Sequence, residues 1–187
     1  LNIDPILIAS HIIVGLQQIV SRVMPAKYPA VLSFGKITGN GATNVIPNEV
    51  KIEGTFRAMN EKWRAKCHSK ITEIVQGIAQ SMGGECEVEI RKGYPFLKNE
   101  EILTQKAINL SKKYLGEENV EELDLWMGGE DFAFYTHHAD ACFYRLGTKK
   151  PNSEITPVHT STFDIDENAL EIGAGLMSYL AINELKS

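Results

Sequence analysis

Residues 49–59 read EVKIEGTFRAM, and apolar and polar side chains alternate through the whole stretch. Val50, Ile52, Gly54 and Phe56 fall on one face, and the residues between them are charged or polar. A period of two residues is typical of a strand with one buried face in an antiparallel sheet. This stretch therefore predicts a half-buried β-strand, and a second strand is predicted before it at residues 30–38.

Two helices flank these strands. The first is predicted over residues 5–23, with Asp4 as its N-cap and Pro5 at the first helical position, where the missing N–H costs nothing. The second is predicted over 61–82, capped by Asn60. Both show apolar residues at helical spacing.

Residues 85–92 alternate again and predict a third strand. The order over residues 1–92 is then α-β-β-α-β. One strand before the first helix would complete β-α-β-β-α-β, the split βαβ or ferredoxin-like sandwich. The chain also opens almost directly on a helix cap, which we interpret as the start of a fragment.

The remaining residues follow a different order. Helices are predicted over 100–115 and from about 167 to 185, and short strands over 120–125 and 141–146. This alternation is typical of part of an α/β sheet. Gly173 and Gly175 inside the last helix predict close packing against another element.

Composition limits the possible partners and the setting. The chain has 187 residues, a net charge of -5 and 43% hydrophobic residues. An acidic, globular composition disfavours nucleic acid as a partner. No apolar run approaches the ~20 residues that span a bilayer, and no signal peptide is evident. Three cysteines without a paired framework indicate reduced thiols, so we expect a cytoplasmic protein without a membrane partner.

Four places in the sequence are candidates for chemistry, and each has a structural alternative. The glycines and acids at 128–131 suit an anion at a helix N-terminus, but the acids could simply cap that helix. His159, in a loop, is a metal ligand, an acid/base group or a solvent-exposed residue. Arg57 could bind a carboxylate through two hydrogen bonds or remain a solvated side chain. The Asn44 side chain could bind a ligand or form a hydrogen bond to the backbone of its own turn.

Several short motifs together resemble a known family. They occur in the order found in aminoacylase-type zinc metallopeptidases, among them N-acyl-amino-acid amidohydrolases, hippurate hydrolases and auxin-conjugate hydrolases. The motifs are DPI (4–6), LQQIVSR (16–22), NVIP (44–47), GTFR (54–57), GYP (93–95), GGEDF (128–132) and VHTS (158–161).

The resemblance implies a fold of mixed α/β (α+β) class in two parts. Residues 1–92 would form a ferredoxin-like lid or dimerisation domain without its first strand. Residues 93–187 would form the C-terminal segment of an α/β metallopeptidase catalytic domain. A homodimer through the lid is implied, and we place its surface on the first helix and the strand at 30–38.

The resemblance also implies roles for particular residues. Asn44 and Arg57 would bind substrate, the arginine on a free carboxylate, with Gly128, Gly129 and Glu130 beside that carboxylate. His159 would be a metal ligand of a site for two divalent ions, which could be zinc, manganese, cobalt or nickel. The substrate would be a small molecule with a free carboxylate.

The family's first catalytic half, with its general base and most metal ligands, is not in this sequence, and no residue here is assigned a catalytic role. The implied activity is hydrolysis of the amide bond of N-acyl amino acids or small peptides, and this chain by itself is expected to be inactive. The alternative is a non-catalytic ferredoxin-like module for dimerisation or small-molecule binding.

Overall fold

The computed structural model describes residues 2–186, which form two compact units. The first unit contains the residues up to Phe96 together with Trp126–Asp131, and the second contains Leu97–Leu125 together with the residues from Phe132 onward. The fold is of the mixed α/β class that the sequence predicts. The assignment of residues 1–92 and 93–187 to a lid and a catalytic segment stays a prediction.

The first helix covers the predicted residues, but its last turn is not α-helical. Helix α1 spans Pro5–Leu16, and the Asp4 carboxylate accepts hydrogen bonds from the N–H groups of Ile6 and Leu7, so the predicted cap is confirmed. The chain then winds more widely, in a π-helical turn at Ile19–Val23 closed by the Met24 N–H on the Ile19 carbonyl. The helix predicted over 5–23 is therefore confirmed in its bounds, and only its final turn differs, because it winds as a π-helix.

The span Pro5–Val23 is long and apolar enough to cross a membrane by length and composition. The expectation that no apolar run approaches that length is therefore wrong. Four of its buried side chains belong to the hydrophobic core of the first unit. These residues are Ile8, Ile12, Leu16 and Ile19.

Strands β1 (Ala30–Thr38) and β2 (Lys51–Ala58) pair antiparallel, in a register that sets Leu32 opposite Phe56. An irregularity between Phe34 and Lys36 interrupts the register. At Gly54 a Cβ would lie 2.5 Å from the Ser33 carbonyl oxygen. The strand therefore requires a glycine there because the neighbouring strand comes too close for a side chain.

Helix α2 (Glu61–Ser81) packs on this hairpin and on α1, and the Asn60 side chain caps it by accepting from the Trp63 N–H. Its buried side chains complete one hydrophobic cluster with α1 and the hairpin. They are Cys67, Val75 and Ala79.

Residues 85–92 are extended but form no ladder with another strand within residues 2–186, so the predicted third strand is wrong as a paired strand. The alternation itself is present, since Cys86 and Val88 are half-buried against the core while their neighbours point outward. Alternation determines which side chains turn inward, but a ladder also needs a neighbouring strand.

The second unit is built on two helices, α3 (Glu101–Leu115) and α4 (Asn168–Glu184). The rings of Tyr114 and Tyr179 stack between them at 5.2 Å. A Cβ at Gly175 would lie 2.2 Å from the Tyr114 hydroxyl oxygen, and one at Gly173 would lie 2.7 Å from Leu146. The close packing predicted for these two glycines is confirmed.

The strands predicted at 120–125 and 141–146 are also absent as paired strands. The Asn99 side chain instead bonds both backbone groups of Phe143, at 2.9 Å and 2.8 Å. The Glu100 N–H donates to the Ala141 carbonyl at 2.9 Å. These contacts hold 141–143 in an extended form without a sheet.

Candidate functional site

Arg57 lies on the polar face of β2, with its side chain exposed. Its Nη1 donates to the carbonyl oxygen of Met127 at 2.8 Å, within the first unit. A guanidinium carries five N–H donors, and this bond uses one of them. The bond fixes the head group beside the 127–130 backbone and leaves donors for a bidentate acceptor such as a carboxylate.

The two glycines after Met127 serve different purposes. A Cβ at Gly128 would lie 2.1 Å from the ring of Trp126, so the indole folds over a position that has no room for a side chain. A Cβ at Gly129 would lie 3.5 Å from Nη1 of Arg57 and 3.7 Å from Cδ2 of Tyr94. Gly129 therefore lies beside both a guanidinium and an aromatic ring, and the residue is exposed.

Tyr94 is the site residue that sequence analysis missed. In the sequence, the GYP motif at 93–95 is part of the family pattern and starts the second predicted part of the chain, and neither feature gives the tyrosine a role. The signal that could have drawn attention to it is an exposed aromatic residue, 51% accessible, directly before a proline.

Glu130 is half-buried and directly follows the two glycines in the segment Trp126–Asp131. The helix predicted after it is a short 3-10 helix, Asp131–His137. Helix capping by the two acids and anion binding at its start both remain interpretations from the sequence. The role of Glu130 in substrate binding stays a prediction.

Asn44 lies in a tight turn whose ends, Ala42 and Val45, exchange backbone hydrogen bonds of 2.9 Å and 3.0 Å. Its side chain is exposed. The contacts described for Arg57 do not include Asn44. The structure thus brings Arg57 together with Gly129 and the Met127 carbonyl, and the substrate role of Asn44 stays a prediction.

His159 lies in the second unit, in the loop between residue 146 and α4, and it is exposed. Its φ is 67°, and among residues 2–186 only Asn152, in the same loop, is another non-glycine with positive φ. Such a conformation costs roughly 1–3 kcal/mol and persists when the surroundings impose it.

Several contacts close this loop at its base. The Asp166 N–H donates to the Thr148 carbonyl at 2.8 Å, and Lys150 forms an ion pair with Asp164. The Thr156 hydroxyl bonds the backbone of Asp164 on the other side of His159. The Lys150 ammonium and the Ile165 N–H both hold the pKa of the Asp164 carboxyl below its usual value, so the pair is charged at neutral pH.

The part of the chain that the structure describes contains no group of three or more His, Cys, Asp or Glu residues that could hold a metal ion. A divalent transition metal usually takes three or four protein ligands. His159 alone does not make up such a site, so these residues do not fit a complete metal centre.

Two of the three cysteines, Cys67 and Cys86, are covered and unreactive in character. Burial raises the pKa of the Cys67 and Cys86 thiols, which favours the protonated form at neutral pH. Both side chains also pack against the core of the first unit. We therefore read them as structural residues.

Known proteins are similar in sequence to almost the whole chain. An IAA-amino acid hydrolase, ILR1-like 4, from Arabidopsis thaliana is 36% identical over 98% of the chain and 43% of its own length. The probable hydrolase sll0100 from Synechocystis sp. is 35% identical over 96% of the chain and 46% of its own length. The chain thus spans slightly under half the length of these relatives.

The fold is also found among solved structures. The Bacillus subtilis YXEP protein, described as a dinuclear metal binding peptidase from the M20 family, matches with a TM-score of 0.69 and 25% identity, over 98% of this chain and 47% of that one. The family model for peptidase family M20/M25/M40 matches residues 11–183. That match includes Arg57, the glycine segment and His159, and the chain belongs to peptidase family M20/M25/M40.

Proposed function

We propose that this chain is part of a metal-dependent amidohydrolase or peptidase that cleaves the amide bond of N-acyl amino acids or small peptides. The observation that carries the proposal is the Arg57 guanidinium, anchored on the Met127 carbonyl beside the open backbone of Gly129. The hydrolases among its relatives support it, including an N-acetyldiaminopimelate deacetylase from Leuconostoc citreum that is 33% identical over 89% of the chain.

In this proposal Arg57 binds the free carboxylate of the substrate. The Met127 bond holds one Nη in place, so the guanidinium meets the carboxylate with a preset direction. Charge-assisted bidentate bonds are strong and geometrically specific. Backbone N–H groups in the 128–130 segment would donate further hydrogen bonds to the same carboxylate. Asn44 and Glu130 would be additional substrate contacts.

His159 would supply one imidazole to a site for two divalent ions. When bound, such ions polarise a carbonyl and lower the pKa of a coordinated water. Family membership and the dinuclear metal binding peptidase among the similar structures support divalent metals, with zinc, manganese, cobalt and nickel all suited to histidine and carboxylate ligands.

By itself the 187-residue chain is expected to bind a carboxylate and to hydrolyse nothing. We expect this because His159 has no group of further metal-ligating residues around it in the part of the chain that the structure describes. A non-catalytic dimerisation or binding module is the second candidate, and the same observation favours it. Turnover of an N-acyl amino acid by this chain would exclude that second candidate.

We also propose a cytoplasmic homodimer. On the outer side of α1 and on β1, large apolar side chains are exposed, and β1 has one free edge within the described residues. An unpaired edge beside an apolar helix face favours pairing with a second copy. The exposed residues are Ile6, Leu7, Val14, Val31 and Ile37.

The test compares two probes that differ in one group, N-acetylglycine and N-acetylglycinamide, by NMR titration of the 187-residue chain. The acid should shift the Arg57 Nε–H and Gly129 amide signals, and the amide should bind more weakly. Arg57→Ala should abolish that difference. Equal binding of acid and amide to the unmodified chain would overturn carboxylate recognition.

A further inference from the structure

A pair of charges at the start of α2 is tied to the segment that contains Tyr94. Arg64 and Glu61 form an ion pair at 2.7 Å, one turn apart on the helix. Their side chains are 15% and 33% exposed, and no other ion pair described within residues 2–186 is as well covered. Partial burial raises the strength of the attraction above that of a solvated pair.

Both partners also bond the same stretch of backbone. Nη1 of Arg64 donates to the Tyr94 carbonyl at 2.6 Å, while the second oxygen of Glu61 accepts from the Phe96 N–H at 3.0 Å. The pair thus binds the Tyr94 carbonyl and the Phe96 N–H, which belong to residues two positions apart. These residues lie 30 and 35 positions after their partners on α2. A helix-stabilising ion pair needs neither of these contacts.

Pro95 makes this anchoring effective. Proline fixes its own φ near −65° and has no N–H, and it confines the preceding residue to extended conformations. With the carbonyl of Tyr94 and the N–H of Phe96 both fixed by the pair, little freedom remains in the backbone from Tyr94 to Phe96. The position from which the Tyr94 side chain starts is therefore held by Glu61 and Arg64.

That ring lies beside Gly129, close to the same point that the Arg57 guanidinium approaches. A Cβ on Gly129 would be 3.7 Å from Cδ2 of Tyr94 and 3.5 Å from Nη1 of Arg57. A carboxylate on Arg57 would place its neighbouring carbon, with whatever side chain it carries, near the ring of Tyr94. Aromatic and aliphatic groups gain from such a contact, and a hydrogen atom does not.

We propose that Glu61 and Arg64 are positioning residues that hold Tyr94 as the wall of the carboxylate site, and that this wall selects substrates with an apolar group next to the carboxylate. The inference rests on the carboxylate recognition proposed above. It goes further by naming the residue that distinguishes one amino-acid side chain from another and the pair that holds it.

The experiment measures a ratio of affinities in the 187-residue chain. N-Acetylglycine and N-acetylphenylalanine are titrated separately, and the NMR shifts of Arg57 and Gly129 give each dissociation constant. The unmodified chain should bind N-acetylphenylalanine about two- to tenfold more tightly, the range for one aromatic contact. Tyr94→Leu should reduce this ratio, and Tyr94→Phe should keep it.

Arg64→Met should bring the ratio close to one while N-acetylglycine binds as before. Arg64→Lys should behave like Arg64→Met, because a single ammonium cannot reproduce the fork that reaches both Glu61 and Tyr94. The matched control is Lys70→Met, which breaks another ion pair of the same spacing on α2, Lys70 with Glu73. It should leave the ratio unchanged.

A second readout does not depend on a ligand. In the free chain, contacts between the Tyr94 ring protons and the Gly129 α-protons should appear in NOE spectra, disappear in Arg64→Met and persist in Lys70→Met. Persistence of both the contacts and the affinity ratio in Arg64→Met would overturn the inference. If N-acetylglycine does not bind the unmodified chain, the proposed function fails, and the NOE contacts alone decide the role of the pair.

Discussion

Nη1 of Arg57 and the carbonyl oxygen of Met127 are 2.8 Å apart although 70 positions separate the two residues in the chain. The bond joins the polar face of a strand to a glycine-rich segment that interrupts the sequence of the second unit. It turns two separate sequence motifs into one candidate binding site.

The first prediction concerns this arginine. In an active enzyme that contains this chain, Arg57→Ala should lower kcat/KM by about 10- to 100-fold, because a charged hydrogen-bond partner of the substrate carboxylate is lost. Arg57→Lys should not restore it, since the fork geometry is missing. Steady-state kinetics on an N-acyl amino acid measure the effect, with Arg22→Ala as a control for an exposed arginine. Unchanged kinetics would contradict the carboxylate role.

The second prediction concerns His159. The 187-residue chain should bind Zn²⁺ weakly, because one imidazole is far from the three or four ligands of a usual site. NMR titration with Zn²⁺ should shift the His159 ring signals, and His159→Ala should remove that response while His138→Ala does not. Submicromolar binding abolished by His159→Ala would show that the chain holds a more complete site than the described residues indicate.

The third prediction concerns assembly. The chain should be a homodimer in sedimentation and light-scattering measurements at micromolar concentration. Val14→Glu and Ile37→Glu, on the exposed apolar faces of α1 and β1, should shift it toward the monomer by placing charges in the interface. Ile102→Glu, at a position 80% exposed on α3 of the second unit, is the matched control. A monomer in the unmodified chain would exclude this interface.

The fourth prediction concerns pH and His68. Burial lowers the pKa of this imidazole below its ordinary value of 6.5, with the positive charges of Arg64 and Lys92 acting in the same direction and Glu61 opposing them. The unfolded chain therefore binds the proton more readily than the folded one. Stability should be fully present above pH 6.5 and should decline as the pH falls through that value toward the lower folded pKa.

Denaturant unfolding of the chain at several pH values between 7 and 5 checks this fourth prediction. His68→Gln should flatten the decline, because its side chain does not titrate. His11→Gln, at an exposed position on α1, should leave the decline as it is. An identical pH profile for His68→Gln would exclude burial of this imidazole as a cause.

Local signals accounted for most of the helices and for the hairpin. Asp4 and Asn60 cap the helices that follow them, and β1 runs over the residues predicted for it. These features depend on neighbours in the sequence, such as a side-chain oxygen that reaches an N–H two or three residues ahead. The motif resemblance also identified the family, since motif order is itself a property of the sequence.

Pairing and contact between distant segments could not be predicted in this way. Residues 85–92 alternate as a strand does, yet they lack a ladder in the described chain, because hydrogen bonding between strands requires a neighbour in space. The site likewise depends on how β2, the GYP motif and the glycine segment meet. The sequence alone therefore determined the caps, the alternating faces and the residue types that can recognise a carboxylate. Only the tertiary structure decided that Arg57, Gly129 and Tyr94 lie together, because the packing of the first unit, and no local preference, brings these separate segments into contact.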